Sequence, residues 1–147
     1  MATDISDIKY LTIGELAQQT GCKVQTIRYF EQMGMLPQAP RTAGNQRRYS
    51  EAAATTLRFI RHARDLGFSQ DDVRQFLAMS GRHDAPCTEA DAIARRHLVE
   101  VRRKIALLKG MERELVRMTS DCHQGTIAEC RVIETLGDHG KCRGAHS

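Results

Sequence analysis

A long amphipathic stripe in the carboxyl half constrains the fold of this chain more than any other feature. A helix is predicted to begin at Thr88 and Asp91 and to reach about Met118. Its apolar residues recur at steps of four, three, four and three positions, the spacing of a coiled-coil seam. The residues of this seam are Ala94, Leu98, Val101, Ile105 and Leu108. One helix cannot bury such a seam, so the sequence predicts a homodimer of parallel or antiparallel helices. The alternative is packing of the seam on the chain's own amino-terminal helices.

Two short helices are predicted near the amino terminus. Thr12 and Glu15 form a capping box that begins the first helix, within the segment Leu11–Gly21. Gly21 ends this helix, and after a short turn the second helix covers about Val24–Met33. Two short helices joined by a tight turn with glycine favour a helix-turn-helix, although an ordinary helical hairpin would have the same pattern.

The segment between residues 34 and 49 is predicted to be a small hairpin. Pro37, Pro40 and Gly44 interrupt helix here, and two short extended pieces would flank a Gly44–Asn45 turn. The basic residues of the hairpin are Arg41, Arg47 and Arg48. A basic hairpin beside a helix-turn-helix is a wing, which can contact the DNA backbone.

Two further helices and a loop complete the amino-terminal part. Ser50 caps a helix of about Glu51–Leu66, and Ser69 with Asp72 begins the next helix. The inward residues predicted for the first of these helices are Leu57, Ile60, Ala63 and Leu66. The loop Ser80–Pro86 is the best boundary, so the predicted domains cover residues 1–80, 87–119 and 120–147.

Composition agrees with a mainly helical protein and excludes several classes. The 147 residues include no Trp and 5% aromatics, and the net charge is +4. The basic residues gather between Arg28 and Arg64, which fits a phosphate-contacting face and a solvated surface equally well. No apolar run of about eighteen residues is found, so we expect a cytoplasmic protein without a membrane span. Five cysteines in that compartment favour metal binding or redox sensing over disulfides. No Ser-His-Asp set, phosphate-binding glycine loop or paired carboxylates is found, so no enzyme is predicted.

Three segments carry the pattern of a known family. They are Gly14–Ala17, Phe59–Gly67 and above all Thr26–Tyr49, within which the matching residues are Ile27, Arg28, Tyr29, Phe30, Glu31, Gly34, Leu36, Arg41, Gly44, Asn45, Arg47 and Tyr49. They resemble the DNA-binding module of the MerR family. The resemblance implies a winged helix-turn-helix domain, a long antiparallel coiled-coil dimerisation helix and a short metal-binding loop and helix. It also implies that the dimer distorts promoter DNA to activate transcription by RNA polymerase.

The candidate DNA contacts lie on the second helix and the wing. Arg28 and Tyr29 stand on the side of the second helix that faces away from the core, where phosphates and base edges would lie. The full set of candidates is Lys23, Arg28, Tyr29, Arg41, Arg47, Arg48 and Tyr49. Contacts to phosphate by arginine and tyrosine would fix the register of the protein on DNA.

The candidate metal ligands flank the long helix. Cys87 precedes this helix and Cys122 follows it, roughly 50 Å away at about 1.5 Å per residue, so the two cannot share a metal within one chain. The antiparallel dimer that the resemblance implies would place Cys87 beside the partner subunit's Cys122. The loop from Cys122 to Cys130 resembles the metal-binding loop of the family's metal sensors, and His123 adds an imidazole. A short helix, Ala128–Leu136, would anchor this loop through Val132, Ile133 and Leu136.

The donor atoms indicate a soft metal ion. Three or four sulfur and nitrogen ligands suit Zn(II), Cd(II) or Pb(II), whereas two thiols alone could hold Cu(I). In the family's monovalent sensors the position of Cys87 is typically not a thiol, so the resemblance is to the zinc, cadmium and lead branch. The predicted function is therefore a metal-responsive activator of an efflux or detoxification promoter. A Cu(I)-responsive activator and, less favoured, a redox sensor are the alternatives.

Four other residues have open or structural roles. Cys142 is a further possible ligand, and the participation of His139 and His146 stays open because they lie in a short tail. Cys22, in the turn of the helix-turn-helix, is predicted to be a packing residue.

Overall fold

The computed structural model describes residues 9–120 and 125–142 of the chain, which divide into two compact units, up to Ala90 and from Asp91 onwards. The six α-helices among these residues are α1 (Ile13–Thr20), α2 (Val24–Gln32), α3 (Glu51–Asp65), α4 (Gln70–Ser80), α5 (Thr88–Ser120) and α6 (Arg131–Gly137). Two 3-10 turns, Ile127–Glu129 and His139–Lys141, flank α6. Within these ranges β-structure is limited to isolated bridges, so the prediction of a mainly helical fold is confirmed.

The first helix begins and ends as its sequence predicts. The Thr12 hydroxyl accepts a hydrogen bond from the Glu15 amide at 3.2 Å, and the Glu15 carboxylate accepts one from the Thr12 amide at 2.9 Å. Gly21 ends α1 with a φ of 68°, a conformation that costs glycine little. A Cβ at Gly21 would lie 2.1 Å from Nη1 of Arg61 on α3. The positive φ therefore favours glycine at the turn between α1 and α2, and a side chain there would also displace the guanidinium of Arg61.

The first unit has a continuous apolar core contributed by α1 to α4 and the segments between them. Its buried members are Leu11, Leu16, Cys22, Ile27, Phe30, Met35, Leu36, Tyr49, Ala54, Leu57, Ile60, Ala63 and Val73. The packing role predicted for Cys22 agrees with its burial. Leu66, predicted to face inward, is instead 59% exposed, because α3 ends at Asp65 and Leu66 is its cap residue. Phe68, two residues after Leu66, packs against the core instead. Its ring makes an edge-to-face contact with Phe76, with ring centroids 5.1 Å apart.

The predicted wing forms a tight loop held by single bridges. Arg41 pairs with Arg47 in an antiparallel bridge, and Leu11 pairs with Tyr49. The turn lies one residue earlier than predicted, because the Asn45 amide donates to the Thr42 carbonyl at 2.9 Å. Asn45 follows this turn with a φ of 62°, a conformation that asparagine tolerates better than most residues.

The second unit is dominated by α5, whose 33 residues start at Thr88 as predicted and end at Ser120. The predicted seam lies largely at the surface of this single chain, and Leu108 is 62% exposed. Arg117 on α5 donates to the Lys141 carbonyl at 2.7 Å and pairs with the buried Glu114, which connects the end of α5 to the last 3-10 turn.

The short helix predicted for Ala128–Leu136 is interrupted at Cys130. A 3-10 turn ends at Glu129, and α6 begins at Arg131. Two of the three residues predicted to anchor this helix, Ile133 and Leu136, are exposed in the single chain. The buried residue of α6 is instead Thr135. None of the described helices is both long and apolar enough to cross a membrane.

Candidate DNA interface and metal-binding residues

A basic cleft of about 560 Å³ lies on the surface of the first unit. Three arginines line it, Arg28 from α2 and Arg41 and Arg47 from the wing. The other lining residues are Thr12, Ile13, Asn45 and Gln46. Arg41 is held over the turn by a 2.9 Å hydrogen bond to the Asn45 side chain. The fold thus brings together, in one concave and positively charged surface, three of the residues predicted to contact DNA, which suits a phosphate backbone.

The other residues predicted to contact DNA do not line this cleft. Lys23 and Arg28 are exposed and Arg48 is half-buried, and in the described part of the chain none of the three side chains has an acidic partner. Tyr29 is 42% exposed, and its hydroxyl accepts a hydrogen bond from the side-chain amide of Gln70 on α4. The ring of Tyr29 rests against Phe30, with centroids 5.7 Å apart.

Tyr49 was predicted to contact DNA, and the structure places it elsewhere. Its side chain is buried, with 1% of the residue exposed, and its hydroxyl donates to the carboxylate of Glu31. Arg47 donates to the other carboxylate oxygen of Glu31, which is itself buried. Burial, and then the hydrogen bond to Glu31, raise the pKa of Tyr49 above its ordinary value. Tyr49 and Arg47 therefore join the wing to α2, and only Arg47 also reaches the cleft.

Arg61 and Arg64 of the basic stretch, and Arg74 of α4, donate hydrogen bonds to main-chain carbonyls at helix ends or between helices. Arg61 donates to the Thr20 carbonyl at 2.6 Å, at the end of α1, and Arg64 donates to the Phe68 carbonyl at 2.7 Å, after α3. Arg74 on α4 donates to the Met33 carbonyl at 2.8 Å, at the end of α2. Such bonds satisfy carbonyl groups that a helix end leaves without partners. These arginines therefore have structural contacts in addition to their charge.

Two residues of the candidate DNA interface, Glu31 and Gln70, were not predicted from the sequence to belong to it. Glu31 was noted only as part of the family pattern, although its position four residues after Ile27 places it on the buried face of α2. That placement of an acidic residue was a signal for a buried ion pair. Gln70 had no signal, because only the tertiary fold brings it to Tyr29.

The candidate metal ligands lie at the two ends of α5. Cys87 is exposed in the residue before this helix, and Cys130 and Cys142 are half-buried on either side of α6. Cys122 and His123 lie outside the described residues. Burial, and then the negative charge of Glu114, raise the pKa of the Cys142 thiol, which favours its protonated form in this conformation.

The candidate ligands that the structure describes are not gathered in one place. In the ranges that the structure describes, no three His, Cys, Asp or Glu side chains are grouped so that they could hold a metal. The 33 residues of α5 span about 50 Å and separate Cys87 from the other thiols. The donor types fit a soft metal ion, and among the described residues Cys87 lies at the opposite end of α5 from Cys130 and Cys142.

Comparison with known proteins identifies the family. Residues 11–80 match the family model described as MerR HTH family regulatory protein, and residues 54–118 match the one described as MerR, DNA binding. The HTH-type transcriptional regulator HmrR of Sinorhizobium medicae (strain WSM419) is 38% identical over 130 residues, 88% of each chain. A mercuric resistance operon regulatory protein of Serratia marcescens is 37% identical over 142 residues, 95% of this chain and 96% of its own.

A solved structure agrees with these relatives. The transcription regulator PbrR691 from Ralstonia metallidurans CH34, in complex with lead(II), has a TM-score of 0.73 and 36% identity, covering 86% of this chain and 98% of its own. The predicted family and the winged helix-turn-helix architecture are thereby confirmed, as is the prediction that the protein is not an enzyme. The chain belongs to the MerR family of DNA-binding transcription regulators.

Proposed function

We propose that this protein is a soft-metal-responsive transcription regulator that binds promoter DNA as a homodimer and activates a metal efflux or detoxification gene. The observation that carries the proposal is the distribution of its sites. The first unit has a basic cleft, and the thiols lie at opposite ends of a helix too long for them to meet within one chain. The relatives support the metal class, since their names refer to heavy metals and mercury and one was solved with lead(II).

DNA binding rests on the cleft and the surface around it. Arg28, Arg41 and Arg47 would contact phosphates from within the cleft, and Lys23 and Arg48 would do so from the surface outside it. Each cation that neutralises a phosphate releases counterions, so affinity should fall steeply with salt. The uncharged Tyr29 hydroxyl would donate a hydrogen bond to a phosphate of the DNA backbone, which fixes register.

Dimerisation rests on the apolar surface of α5. The seam is half-buried to exposed in one chain, and a second copy of α5 would cover it. In the antiparallel arrangement Cys87 would lie beside the partner subunit's Cys122 and the partner subunit's Cys130. Two equivalent sites would then join the two chains, one at each end of the paired helices.

The ligands of each site would be Cys87 from one chain and Cys122, His123 and Cys130 from the other, with Cys142 as a possible addition. A soft divalent ion, Zn(II), Cd(II) or Pb(II), suits this donor set, and the mercury-related relatives add Hg(II) to the ions to be tested. Bound metal supplies positive charge that stabilises the thiolates and holds the two chains together. Cu(I) is the alternative effector, because Cys122 and Cys130 alone could hold it in linear coordination.

Activation would follow from a change in DNA shape. In the metal-bound dimer the two DNA-binding units would bend and untwist the promoter, so that RNA polymerase can engage both of its elements. A redox sensor that responds through disulfide formation is the less favoured alternative.

A heterodimer experiment tests the shared site. Full-length Cys87→Ser and Cys130→Ser subunits with different tags are co-expressed, and the mixed dimer is purified and titrated with Cd(II), followed by thiolate-to-metal absorbance. With sites shared between chains, one site of the mixed dimer keeps Cys87 from one subunit and Cys130 from the other, so we expect one tight Cd(II) per dimer. A site built within one chain from Cys122, His123 and Cys130 would also survive on the Cys87→Ser subunit, so the Cys87→Ser homodimer is titrated in parallel. Shared sites predict no tight Cd(II) in that homodimer, and two tight Cd(II) ions there would reject the proposal. Cys22→Ala, a buried cysteine of the first unit, is the control and should keep two sites.

A metal ranking tests the effector. Transcription from a promoter that the protein selects is measured with Zn(II), Cd(II), Pb(II), Hg(II) and Cu(I). Cys87→Ser should abolish the divalent response and preserve any response to Cu(I). An unchanged ranking in that variant would contradict a divalent site that includes Cys87.

A further inference from the structure

A hydrogen bond between Tyr29 and Gln70 joins the DNA-binding helix α2 to the first turn of α4. The side-chain amide nitrogen of Gln70 donates to the hydroxyl oxygen of Tyr29, across 41 positions of sequence. One helical turn further along both helices, Arg74 donates to the Met33 carbonyl at 2.8 Å. Two successive bonds therefore fix α4 against the carboxyl-terminal part of α2.

Both partners of the bond are held before any DNA arrives. Gln70 is the first residue of α4, whose start is fixed by the capping box between Ser69 and Asp72, with contacts of 3.1 and 3.2 Å. The Tyr29 ring leans on Phe30, which is buried in the core. The Tyr29 hydroxyl therefore has a defined position at the surface.

The direction of the bond decides what the hydroxyl can do. A phenol has one proton to donate and lone pairs that accept. Since the Gln70 amide occupies a lone pair of the Tyr29 oxygen, the hydroxyl proton is left for another acceptor. The neighbouring residue, Arg28, lines the basic cleft, which attracts the phosphates of DNA. A phosphate oxygen is therefore the acceptor that we expect for the Tyr29 proton.

We propose that Gln70 is a positioning residue for DNA binding, which holds the Tyr29 hydroxyl so that its proton is presented to a phosphate of the DNA backbone. Gln70 itself makes no DNA contact in this arrangement. Its contribution is to remove the freedom of the phenol group before binding. The inference rests on the proposed function, because it takes Tyr29 as a DNA contact.

A double-substitution cycle with the full-length protein tests the proposal. Binding to a duplex that the protein selects from a randomised pool is measured for Tyr29→Phe, Gln70→Leu and the double variant. We expect Tyr29→Phe to raise Kd about tenfold, as for loss of a hydrogen bond to a charged group. Gln70→Leu should raise Kd about threefold in the parent, and it should have no effect when Tyr29 is already Phe.

Salt dependence separates this effect from a loss of charge. Neither variant removes a cation, so the slope of log K against log salt should stay at the parent value in both. Arg28→Ala should lower that slope by about one. A change of slope in Gln70→Leu would overturn the positioning role, because it would mean that the whole docking geometry had moved.

The remaining outcomes are distinguishable. If Tyr29→Phe binds like the parent, the DNA contact of the proposed function fails. If Tyr29→Phe weakens binding but the effect of Gln70→Leu persists in the double variant, only the positioning role is overturned. Tighter binding by Gln70→Leu would mean that the amide consumes the hydroxyl proton, which also overturns it.

Matched controls guard against an effect on folding. Gln75→Leu makes the same chemical change at an exposed position of α4 and should leave Kd and Tm unchanged. Gln70→Asn keeps the amide but shortens the side chain by one methylene, so it should reproduce the loss seen with Gln70→Leu. Binding of Gln70→Asn at the parent affinity, with an unchanged Tm, would count against the proposal.

Discussion

The two units of the molecule treat their apolar side chains in opposite ways. The first unit encloses Leu16, Ile27, Leu57 and Ile60 completely, in a core to which four helices and the wing contribute. The second unit is built on one long helix and leaves large apolar residues at its surface. Those of α5 and the segment after it are Leu98, Val99, Ile105, Leu108, Met111, Leu115, Val116, Ile127, Ile133 and Leu136. Apolar surface on this scale is typical of an interaction site, and in the proposed dimer a second copy of the chain covers it.

The same contrast separates two kinds of function. The basic cleft is assembled within one chain, because α2 and the wing are joined through the buried Glu31. In the proposed metal site, Cys87 meets the other ligands only through a second chain. DNA contact should therefore depend on the packing of the first unit, and effector response on the association of the second.

The largest expected effect comes from a charge placed in the seam. Ile105→Asp should raise the dissociation constant of the dimer about a thousandfold, because each copy would bury an unpaired carboxylate against the other helix. Sedimentation equilibrium measures the constant. Ala106→Asp, at an exposed position of the same helix outside the seam, is the control, and it should raise the dissociation constant less than tenfold. Equal weakening by both variants would remove the seam as the basis of dimerisation.

The sequence allowed prediction of the features that depend on neighbouring residues. The capping boxes at Thr12 and Ser69 and the start of α5 at Thr88 are local, and all three appear as expected. Packing between residues far apart in the sequence could not be predicted. Leu66 fits the apolar period of α3, but the helix ends before it and Phe68 packs against the core in its neighbourhood.

The candidate site shows the same division between local and long-range information. Arg28 and Arg41 could be assigned to a basic surface from their elements alone, and both line the cleft. Tyr49 could not, because its burial depends on the antiparallel bridge to Leu11 and on the carboxylate of Glu31, 18 positions away. The sequence indicated thiol ligands at both ends of α5, and it could not indicate whether the second chain brings them together.

An intermediate effect is expected where the wing is joined to α2. Tyr49→Phe should destabilise the first unit by about 2 kcal/mol near neutral pH, because a buried carboxylate oxygen of Glu31 loses its donor. Chemical denaturation followed by circular dichroism measures the change. Dimer dissociation should be unaffected, and a large change in it would break the separation between the units.

The pH dependence of that effect follows from the raised pKa of Tyr49. The folded protein retains the phenol proton at pH values where the unfolded chain, with a pKa of about 10, has lost it. The stabilisation is therefore complete below about pH 10 and is lost as the pH rises further. The difference between parent and Tyr49→Phe should narrow from pH 9 to pH 11. A constant difference across this range would mean that Tyr49 ionises equally in both states.

The smallest expected effect is the loss of the Thr12 cap at the start of α1, which should change the stability of the first unit without changing dimerisation. Thr12→Ala should destabilise the first unit by about 1 kcal/mol, because the amide of Glu15 loses its capping oxygen. Thr12→Ser keeps that oxygen and should recover most of the loss, as measured by urea unfolding. Since the cap is local to α1, the dissociation constant of the dimer should not change in either variant. A serine variant as unstable as the alanine one would show that the threonine methyl group, packed at the start of α1, matters more than its hydroxyl.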